Sequence, residues 1–399
     1  MAAPMKHGKL VLAAVLSCVL CPIAPASDAP RVVTLRTPNG GNAPQVVTDG
    51  GVLHGVYFKA TRGNDGDLYY VRSRDGGATF SAPVRVNNQP DTAVSVRHAR
   101  LAVGRGGRAH VVWNGNGRAT PRGPLNPAQP ADSPYNGTPL LYARLNDEGT
   151  AFEPARNLMR KTYALDGGAT VAADGEGNVY AVWHAMADGL PQNEQGRRVW
   201  VARSTDGGKT FAEETLAWDK PVGACGCCYV GALAENGARL FILFRAAESA
   251  IQRDMYVLAS DDGGKTFRGS PVDPWRTSQC PMSTAALARS GDGVLAGWET
   301  EGRVVFGSLK PDASQVIERI PAPRDGAARK YPAIATNRRG EMIHAWAEGM
   351  AWKRGGTARW QVYDAQGRPL GEPGKADGVP ADGTVAAFAR DDGTFVVVF

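Results

Sequence analysis

Four cysteines in the second half of this 399-residue chain are the residues best suited to specific chemistry. Cys225, Cys227 and Cys228 form a Cys-Gly-Cys-Cys run, and Cys280 opens a Cys-Pro-Met sequence that ends at Met282. Thiolate and thioether sulfurs are soft ligands that suit copper, Cu(I) in particular. Zinc is disfavoured because the second Cys-x-x-Cys pair of usual structural zinc sites is missing. These residues therefore predict a copper site.

Two other uses of the same cysteines stay open. In an oxidising compartment a disulfide, such as Cys227 or Cys228 with Cys280, is the default expectation. Adjacent Cys227 and Cys228 are awkward to pair with each other, and four cysteines allow three connectivities. A thiol redox role is the remaining alternative.

An octet with turn chemistry recurs along the chain and indicates the elements that must position these sulfurs. Each copy follows a strand-like run, and the Ser and Asp side chains can accept bonds from nearby backbone N–H groups. The glycines supply positive φ angles and the terminal Phe can pack back onto the sheet, which suits a β-hairpin. The marker residues are Ser73, Asp75, Gly77 and Phe80; Ser204, Asp206, Gly208 and Phe211; Ser260, Asp262, Gly264 and Phe267; and Asp147 in a degenerate copy, 145–152.

A second pattern counts the repeating units. A Gly is followed five to seven residues later by an aromatic that ends a strand, and this occurs seven times between Gly51 and Phe399. The spacing suits four-stranded blades and predicts an all-β, seven-bladed propeller. The last unit stops at its second strand, so the N-terminal strand 31–37 is expected to complete it. Four tryptophans share one position in this pattern and are predicted to pack between blades: Trp113, Trp183, Trp298 and Trp346. Three histidines lie inside strand-2 patterns and are predicted as core or channel residues: His54, His110 and His344.

The octets resemble the Asp-box, or BNR repeat, of sialidase-like β-propellers. This resemblance keeps a six-bladed ring open as an alternative, and it implies that the octets have a structural role only. In such propellers the connections from strand 4 to 1 and from strand 2 to 3 share one face, opposite the Asp-boxes. We call this the loop face, and functional residues are expected there.

Alignment of the units places four side chains at equivalent positions where strand 1 begins. His98, Cys228, Met282 and Tyr331 should therefore ring the mouth of the central channel on the loop face. His184 begins a loop on the same face and is a further candidate ligand. The full set of candidate copper ligands is Cys225, Cys227, Cys228, Cys280, Met282, His98 and His184.

The resemblance also implies a second activity, exo-acting hydrolysis of glycosides. Sialidases bind the substrate carboxylate with three arginines, whose guanidinium groups suit a bidentate carboxylate, and use a Tyr–Glu nucleophile pair and an Asp acid/base. The positions that match are Asp65, Arg62, Arg245, Glu248 and Tyr331. The sequence departs from the family pattern at the Arg-Ile-Pro motif, because Pro44 is preceded by Asn and Ala.

The N-terminus predicts export. Lys6 and Lys9 precede an apolar run, 10–20, and a small-x-small cleavage site, so residues 1–26 are expected to be a signal peptide and 27–399 a single propeller domain. The residues before Cys18 fit a lipid-attachment motif poorly, which favours a periplasmic or secreted protein. The net charge of +6 is dispersed and argues against nucleic-acid binding, and no later apolar run is long enough to span a membrane.

Three classes of function follow from these residues. The first is a non-catalytic binding protein whose loop face holds a small ligand, a metal or a glycan, with copper as the only cofactor indicated. The second is a sialidase-type glycosidase. The third is a protein-interaction scaffold that uses the long Pro- and Gly-rich loop 114–139 as its contact surface.

Overall fold

The computed structural model describes residues 1–2, 30–95, 97–291, 293–310, 316–323, 328–351 and 353–399. Nearly all of the predicted signal peptide lies outside this range. Twenty-nine strands and two short 3-10 turns, Pro38–Gly40 and Arg105–Gly107, account for the regular structure of the described residues. None of them forms a helix long and apolar enough to cross a bilayer.

The strands form seven sheets arranged as the blades of a β-propeller. The strands that precede and form the first two blades are β1 (Val32–Leu35), β2 (Asn42–Asp49), β3 (Val52–Arg62), β4 (Asp65–Ser73), β5 (Val84–Arg85), β6 (Ala93–Val94), β7 (Arg100–Gly104), β8 (Arg108–Asn114), β9 (Leu140–Arg144) and β10 (Arg156–Asn157). The third and fourth blades contain β11 (Thr162–Tyr163), β12 (Thr170–Ala173), β13 (Val179–Ala187), β14 (Arg198–Ser204), β15 (Thr215–Leu216), β16 (Gly231–Glu235), β17 (Arg239–Arg245), β18 (Met255–Ser260) and β19 (Arg268–Asp273). The last three blades contain β20 (Ala286–Ser290), β21 (Gly293–Thr300), β22 (Arg303–Leu309), β23 (Val316–Pro321), β24 (Arg329–Thr336), β25 (Met342–Glu348), β26 (Gly356–Tyr363), β27 (Pro369–Val379), β28 (Ala386–Ala389) and β29 (Phe395–Val398).

The predicted all-β, seven-bladed architecture is confirmed, and the six-bladed alternative is wrong. Six blades are antiparallel sheets with four strands in chain order, to which β6 and β11 add short extra pairings. The seventh blade contains only β28, β29 and β1. Strand β1 pairs in parallel with β29, with Val32 opposite Phe395 and Leu35 opposite Val398, so the N-terminal strand closes the ring as the sequence predicted.

The recurring Gly–aromatic pattern corresponds to the turn between strands 1 and 2 and the strand that follows. Six of the seven glycines have positive φ, from +72° at Gly107 to +98° at Gly177, a conformation that a residue with a Cβ adopts at a cost. Gly293 is the exception, and Gly291 has the positive φ in its turn instead. The four tryptophans that end this pattern are completely buried and pack between blades, as predicted.

The Asp-box turns connect strands 3 and 4 of the first, third and fourth blades. In the first, the Ser73 hydroxyl accepts a bond from the Gly77 N–H (2.7 Å) and donates to Asp75 Oδ1 (2.7 Å). Asp75 also accepts from the Thr79 N–H and hydroxyl, at 2.9 and 2.6 Å. These bonds, with that from the Thr79 hydroxyl first, lower the pKa of Asp75. The turns at Asp206 and Asp262 repeat the same bonds.

The degenerate fourth turn differs from the prediction. Asn146, rather than Asp147, accepts the bond from the Thr150 N–H, at 2.9 Å. Asp147 points to solvent and pairs with Arg108. Leu145 stands where the other copies have Ser, so no hydroxyl is present to orient Asp147, and the adjacent amide takes its place.

Candidate functional site

The starts of the strand-1 segments bring the predicted ring of side chains to one end of the channel. Met282, Tyr331 and Asp382 have positive φ angles of 47°, 56° and 56°. Tyr331 lies in a β-bulge, because Lys330 pairs with Ala347 and Ala333 pairs with Ala345. A bulge redirects the side chain of its extra residue, and strained non-glycine backbone of this kind is concentrated at functional positions.

These residues line a cavity of about 90 Å³ on the loop face. His98, Met282 and Tyr331 are members of the predicted ring, but the cysteine that lines the cavity is Cys227 rather than the predicted Cys228. The remaining lining comes from Arg97, Tyr229, Lys330, Met350, Ala351 and Asp382. The cavity therefore combines sulfur, imidazole and phenol groups with two cations and one carboxylate.

Three sulfurs meet beside this cavity. The Sγ atoms of Cys225, Cys227 and Cys228 all lie within 4.8 Å of one another. Cys225 and Cys228 are free, buried thiols, whereas Cys227 forms a disulfide with the exposed Cys280 that joins the fourth and fifth blades. The Cys225 and Cys227 sulfurs are 3.4 Å apart.

The Cys-Gly-Cys-Cys segment is held in a tight turn. The Cys228 N–H donates to the carbonyl oxygen of Cys225 (3.3 Å), and the Gly226 N–H donates to Glu194 Oε1 (2.6 Å). A Cβ on Gly226 would lie 3.1 Å from Asp166 Oδ2 and 3.2 Å from Glu194 Oε1, so a larger residue would displace these carboxylates. The close approach explains why Gly separates the first two cysteines.

The two free thiols have different acidities. A hydrogen bond from Cys225 lowers the pKa of Cys228 to about 6, with Arg245 and Lys330 acting in the same direction against the effect of burial. The same bond, together with burial, raises the pKa of Cys225. A thiolate at Cys228 is the form that binds soft metals.

Two buried histidines on the loop face each have one ring nitrogen bonded to a backbone carbonyl, which leaves the other nitrogen free to bind a metal. His98 Nε2 bonds to the Asp382 carbonyl (2.9 Å), and His184 Nε2 bonds to the Cys228 carbonyl (2.8 Å), so Nε2 carries the proton in each. Burial lowers the pKa of His98 to about 3 and that of His184 to about 4. Each Nδ1 therefore has a free lone pair, and neither finds a partner among the described residues.

Glu299 is a buried carboxylic acid that sequence reasoning missed. Burial raises its pKa to about 7, although Lys330 and Arg245 favour the charged form, and its Oε2 atom has no partner within the described part of the chain. A usable signal was present in the sequence. Glu299 directly follows Trp298, just as His184 follows Trp183 and Arg245 follows Phe244, so all three occupy the same strand-2 position.

The five positions suggested by sialidases make different contacts. Tyr331 lines the small cavity, and burial raises its pKa. Asp65 pairs with Arg118 at 3.0 Å, whereas Arg62 is exposed at the end of β3. The remaining two bond elsewhere: Arg245 donates to the carbonyl of Arg253 (2.7 Å), and Glu248 accepts from the Tyr256 hydroxyl (2.7 Å).

Asp65 lines a second, larger cavity of about 890 Å³ next to the first. Arg97 contributes to both cavities and so forms a shared wall. Seven amide side chains also line it, together with Asp166, Arg197 and the 79% exposed Tyr135. The loop 114–139 is fixed internally, since the Asn126 N–H donates to the buried Asn136 side chain at 2.7 Å.

Comparisons with known proteins show similarity in structure only. No family model and no curated protein matches the chain. Among solved structures, the NanB sialidase of Streptococcus pneumoniae with Optactamide has a TM-score of 0.50 at 11% identity, over 82% of this chain and 68% of NanB. A protein of unknown function from Dyadobacter fermentans also has a TM-score of 0.50 at 11% identity, over 79% of this chain and 95% of that one. The chain therefore has a sialidase-like β-propeller fold.

Proposed function

We propose that this chain is an exported, non-catalytic binding protein that holds Cu(I) at the cysteine cluster on its loop face. The observation that carries the proposal is the convergence of the Cys225, Cys227 and Cys228 sulfurs within 4.8 Å of one another. The donor set fits Cu(I), because several thiolates in one buried cluster are the ligands that this ion prefers. Zinc sites of comparable composition use four ligands in a tetrahedron.

The surroundings of the cluster supply further donors. Met282 and His98 line the cavity that Cys227 also reaches, and the neutral His98 ring has a free Nδ1 lone pair. His184 lies behind the cluster, bonded to the Cys228 carbonyl. A thioether and neutral imidazoles are compatible with the same ion.

Cys227 can act as a ligand only after its bond to Cys280 has been reduced. The proposal therefore concerns the reduced protein, and Cys280 itself is not one of the three converging sulfurs. This difference supplies a matched control, since Cys280→Ser removes a nearby cysteine while leaving the cluster intact.

The test is a Cu(I) titration of reduced protein without oxygen, in competition with bicinchoninate. We expect one Cu(I) per wild-type chain, and an affinity at least about 100-fold lower for Cys225→Ser and Cys228→Ser, because loss of a direct ligand should exceed the 10- to 100-fold effects of outer partners. Cys280→Ser should keep the wild-type affinity. Failure of the wild type to compete, or equal binding by all variants, would refute the proposal.

One observation favours a second candidate, glycoside hydrolysis. Asp65 lines the amide-rich 890 Å³ cavity, which shares Arg97 with the cavity that holds Tyr331. Amides, an arginine and an exposed aromatic ring are groups that bind the hydroxyls, carboxylate and faces of an acidic sugar. Release of a fluorophore from a sialoside, abolished by Asp65→Asn, would support this candidate, whereas no turnover across a panel of acidic glycosides would remove it.

A further inference from the structure

The disulfide on the loop face has a free thiol next to it. The Sγ atom of Cys225 lies 3.4 Å from the Sγ atom of Cys227, which is bonded to Cys280. Disulfides rearrange when a neighbouring thiolate attacks one of their sulfurs, and access to the attacked sulfur is a main determinant of the rate. Here the contact is already made in the folded protein.

The three sulfurs differ in how far they are buried. Cys225 is 1% exposed, Cys227 is intermediate, and Cys280 lies at the surface, where Ser278 and Gln279 before it are also exposed. If a Cys225–Cys227 disulfide replaced the Cys227–Cys280 disulfide, the thiol set free would be that of Cys280, which lies in solvent.

The fold around the disulfide does not depend on the bond alone. The Tyr229 N–H donates to the Ser283 carbonyl (3.0 Å) and joins the fourth and fifth blades just beyond the cysteines. Lys330 holds the Pro281 carbonyl from the sixth blade. These contacts keep the start of the fifth blade in place when Cys280 is released.

We propose that the Cys227–Cys280 disulfide is exchange-active, and that Cys225 converts it to a buried Cys225–Cys227 disulfide with a free, solvent-exposed Cys280 thiol. The Cys225 sulfur bonds to the Cys227 sulfur as the Cys227–Cys280 bond breaks, and the bonding pair leaves on the Cys280 sulfur. The Cys225 proton passes to the Cys228 sulfur, to which Cys225 already donates a hydrogen bond, and Cys280 takes up one proton from solvent. One disulfide is present before and after, so no external oxidant or reductant is needed.

The products of this exchange can be separated by mass. Trypsin is expected to release residues 210–239, which contain Cys225, Cys227 and Cys228, and residues 277–289, which contain Cys280. Before exchange these two peptides are joined. After exchange, with iodoacetamide present, 277–289 appears alkylated and 210–239 contains an internal disulfide and one alkylated cysteine.

The experiment incubates oxidised, folded wild-type protein with iodoacetamide and follows these peptides over time. We expect the joined pair to disappear and alkylated 277–289 to accumulate, because alkylation of Cys280 makes the exchange irreversible. The rate should fall at least tenfold in Cys225→Ser, which lacks the attacking sulfur, and should persist in Ser204→Ala, a control substitution in an Asp-box turn at the opposite end of the propeller. Near-ultraviolet circular dichroism verifies that each variant is folded.

Two results would overturn the proposal. The first is a wild-type protein whose joined peptides remain stable and whose Cys280 is never alkylated, a result that needs no variant. The second is exchange that continues at the wild-type rate in Cys225→Ser. The experiment contains no metal, so it can succeed or fail independently of Cu(I) binding.

Discussion

Buried histidines at the two ends of the propeller, the Asp-box end and the loop face, differ in their hydrogen bonds. At the Asp-box end, His54 and His110 each bond through Nδ1 to a tyrosine hydroxyl, that of Tyr70 (2.6 Å) and that of Tyr142 (2.7 Å). The buried His344 at the same end is an exception, because neither of its ring nitrogens has a partner among the described residues. At the loop end, His98 and His184 bond only to backbone carbonyls through Nε2, and the described residues offer no partner for Nδ1.

Carboxylates show the same contrast. Asp75 accepts three bonds within its own turn, whereas one oxygen of the buried Glu299 has no partner among the residues that the structure describes. A buried polar group without a partner costs about 1–3 kcal/mol, so the loop end stays in this state at the expense of stability. We infer that the Asp-box turns stabilise the blades, whereas His98, His184 and Glu299 keep donors and acceptors available for a ligand on the loop face.

The largest effect expected on stability comes from the disulfide. Cys280→Ser removes a link between residues 53 apart in sequence. The chain-entropy model predicts that the oxidised variant loses about 4 kcal/mol of the free energy of unfolding. Denaturant unfolding without a reductant measures this loss, and the variant and the wild type should coincide once both are reduced. Equal stabilities under oxidising conditions would contradict the prediction.

The next largest effect is the pH dependence that Glu299 gives to the free energy of unfolding. A folded-state pKa of about 7, raised from 4.5, means that the native state retains a proton that the unfolded state loses. Its stabilising contribution is therefore complete below pH 4.5 and is lost as the pH rises through 7, a change of about 3 kcal/mol.

Glu299→Gln should remove this dependence. The difference in the free energy of unfolding between variant and wild type should grow in favour of the variant from pH 5 to pH 8. The buried histidines are present in both proteins and cancel in this difference. Parallel stability curves over this range would show that Glu299 is not the group responsible.

The smallest of these effects lies at the Asp-box end. Ser204→Ala leaves the buried Gly208 N–H without its acceptor, now at 2.9 Å, and should cost about 1–3 kcal/mol of the free energy of unfolding. Ser260→Ala breaks the equivalent bond to Gly264 and should cost a similar amount. Neither should alter Cu(I) affinity in the competition assay. A fall in affinity would mean that the two ends are not independent.

The sequence was sufficient for the elements whose signal is local. The Asp-box turns were predictable because their hydrogen bonds join residues no more than four positions apart, and the strand-2 tryptophans because burial recurs at one position of the repeat. The closing strand β1 followed from the incomplete last unit. Its parallel direction did not, since no local pattern encodes which way a distant strand runs.

The candidate site was predictable only as far as the repeat alignment reached. It placed His98, Met282 and Tyr331 together, because they occupy equivalent strand-1 positions. It did not select among the three possible cysteine pairings, which depend on how a tight turn orients each sulfur. Glu299 was missed because a charged residue beside a core tryptophan resembles an ordinary strand end until its burial is known.

The pairing of β1 with β29 has a consequence for how the chain reaches its native state. Strand β1, near the start of the chain, has no strand partner until β29, near its end, is available, so closure of the ring involves contacts across nearly the whole described chain. Contacts of such long range are slow to form. Until then, both edges of Val32 to Leu35 can pair with other chains, and closure leaves only one of them open, so the period before closure carries an added risk of aggregation.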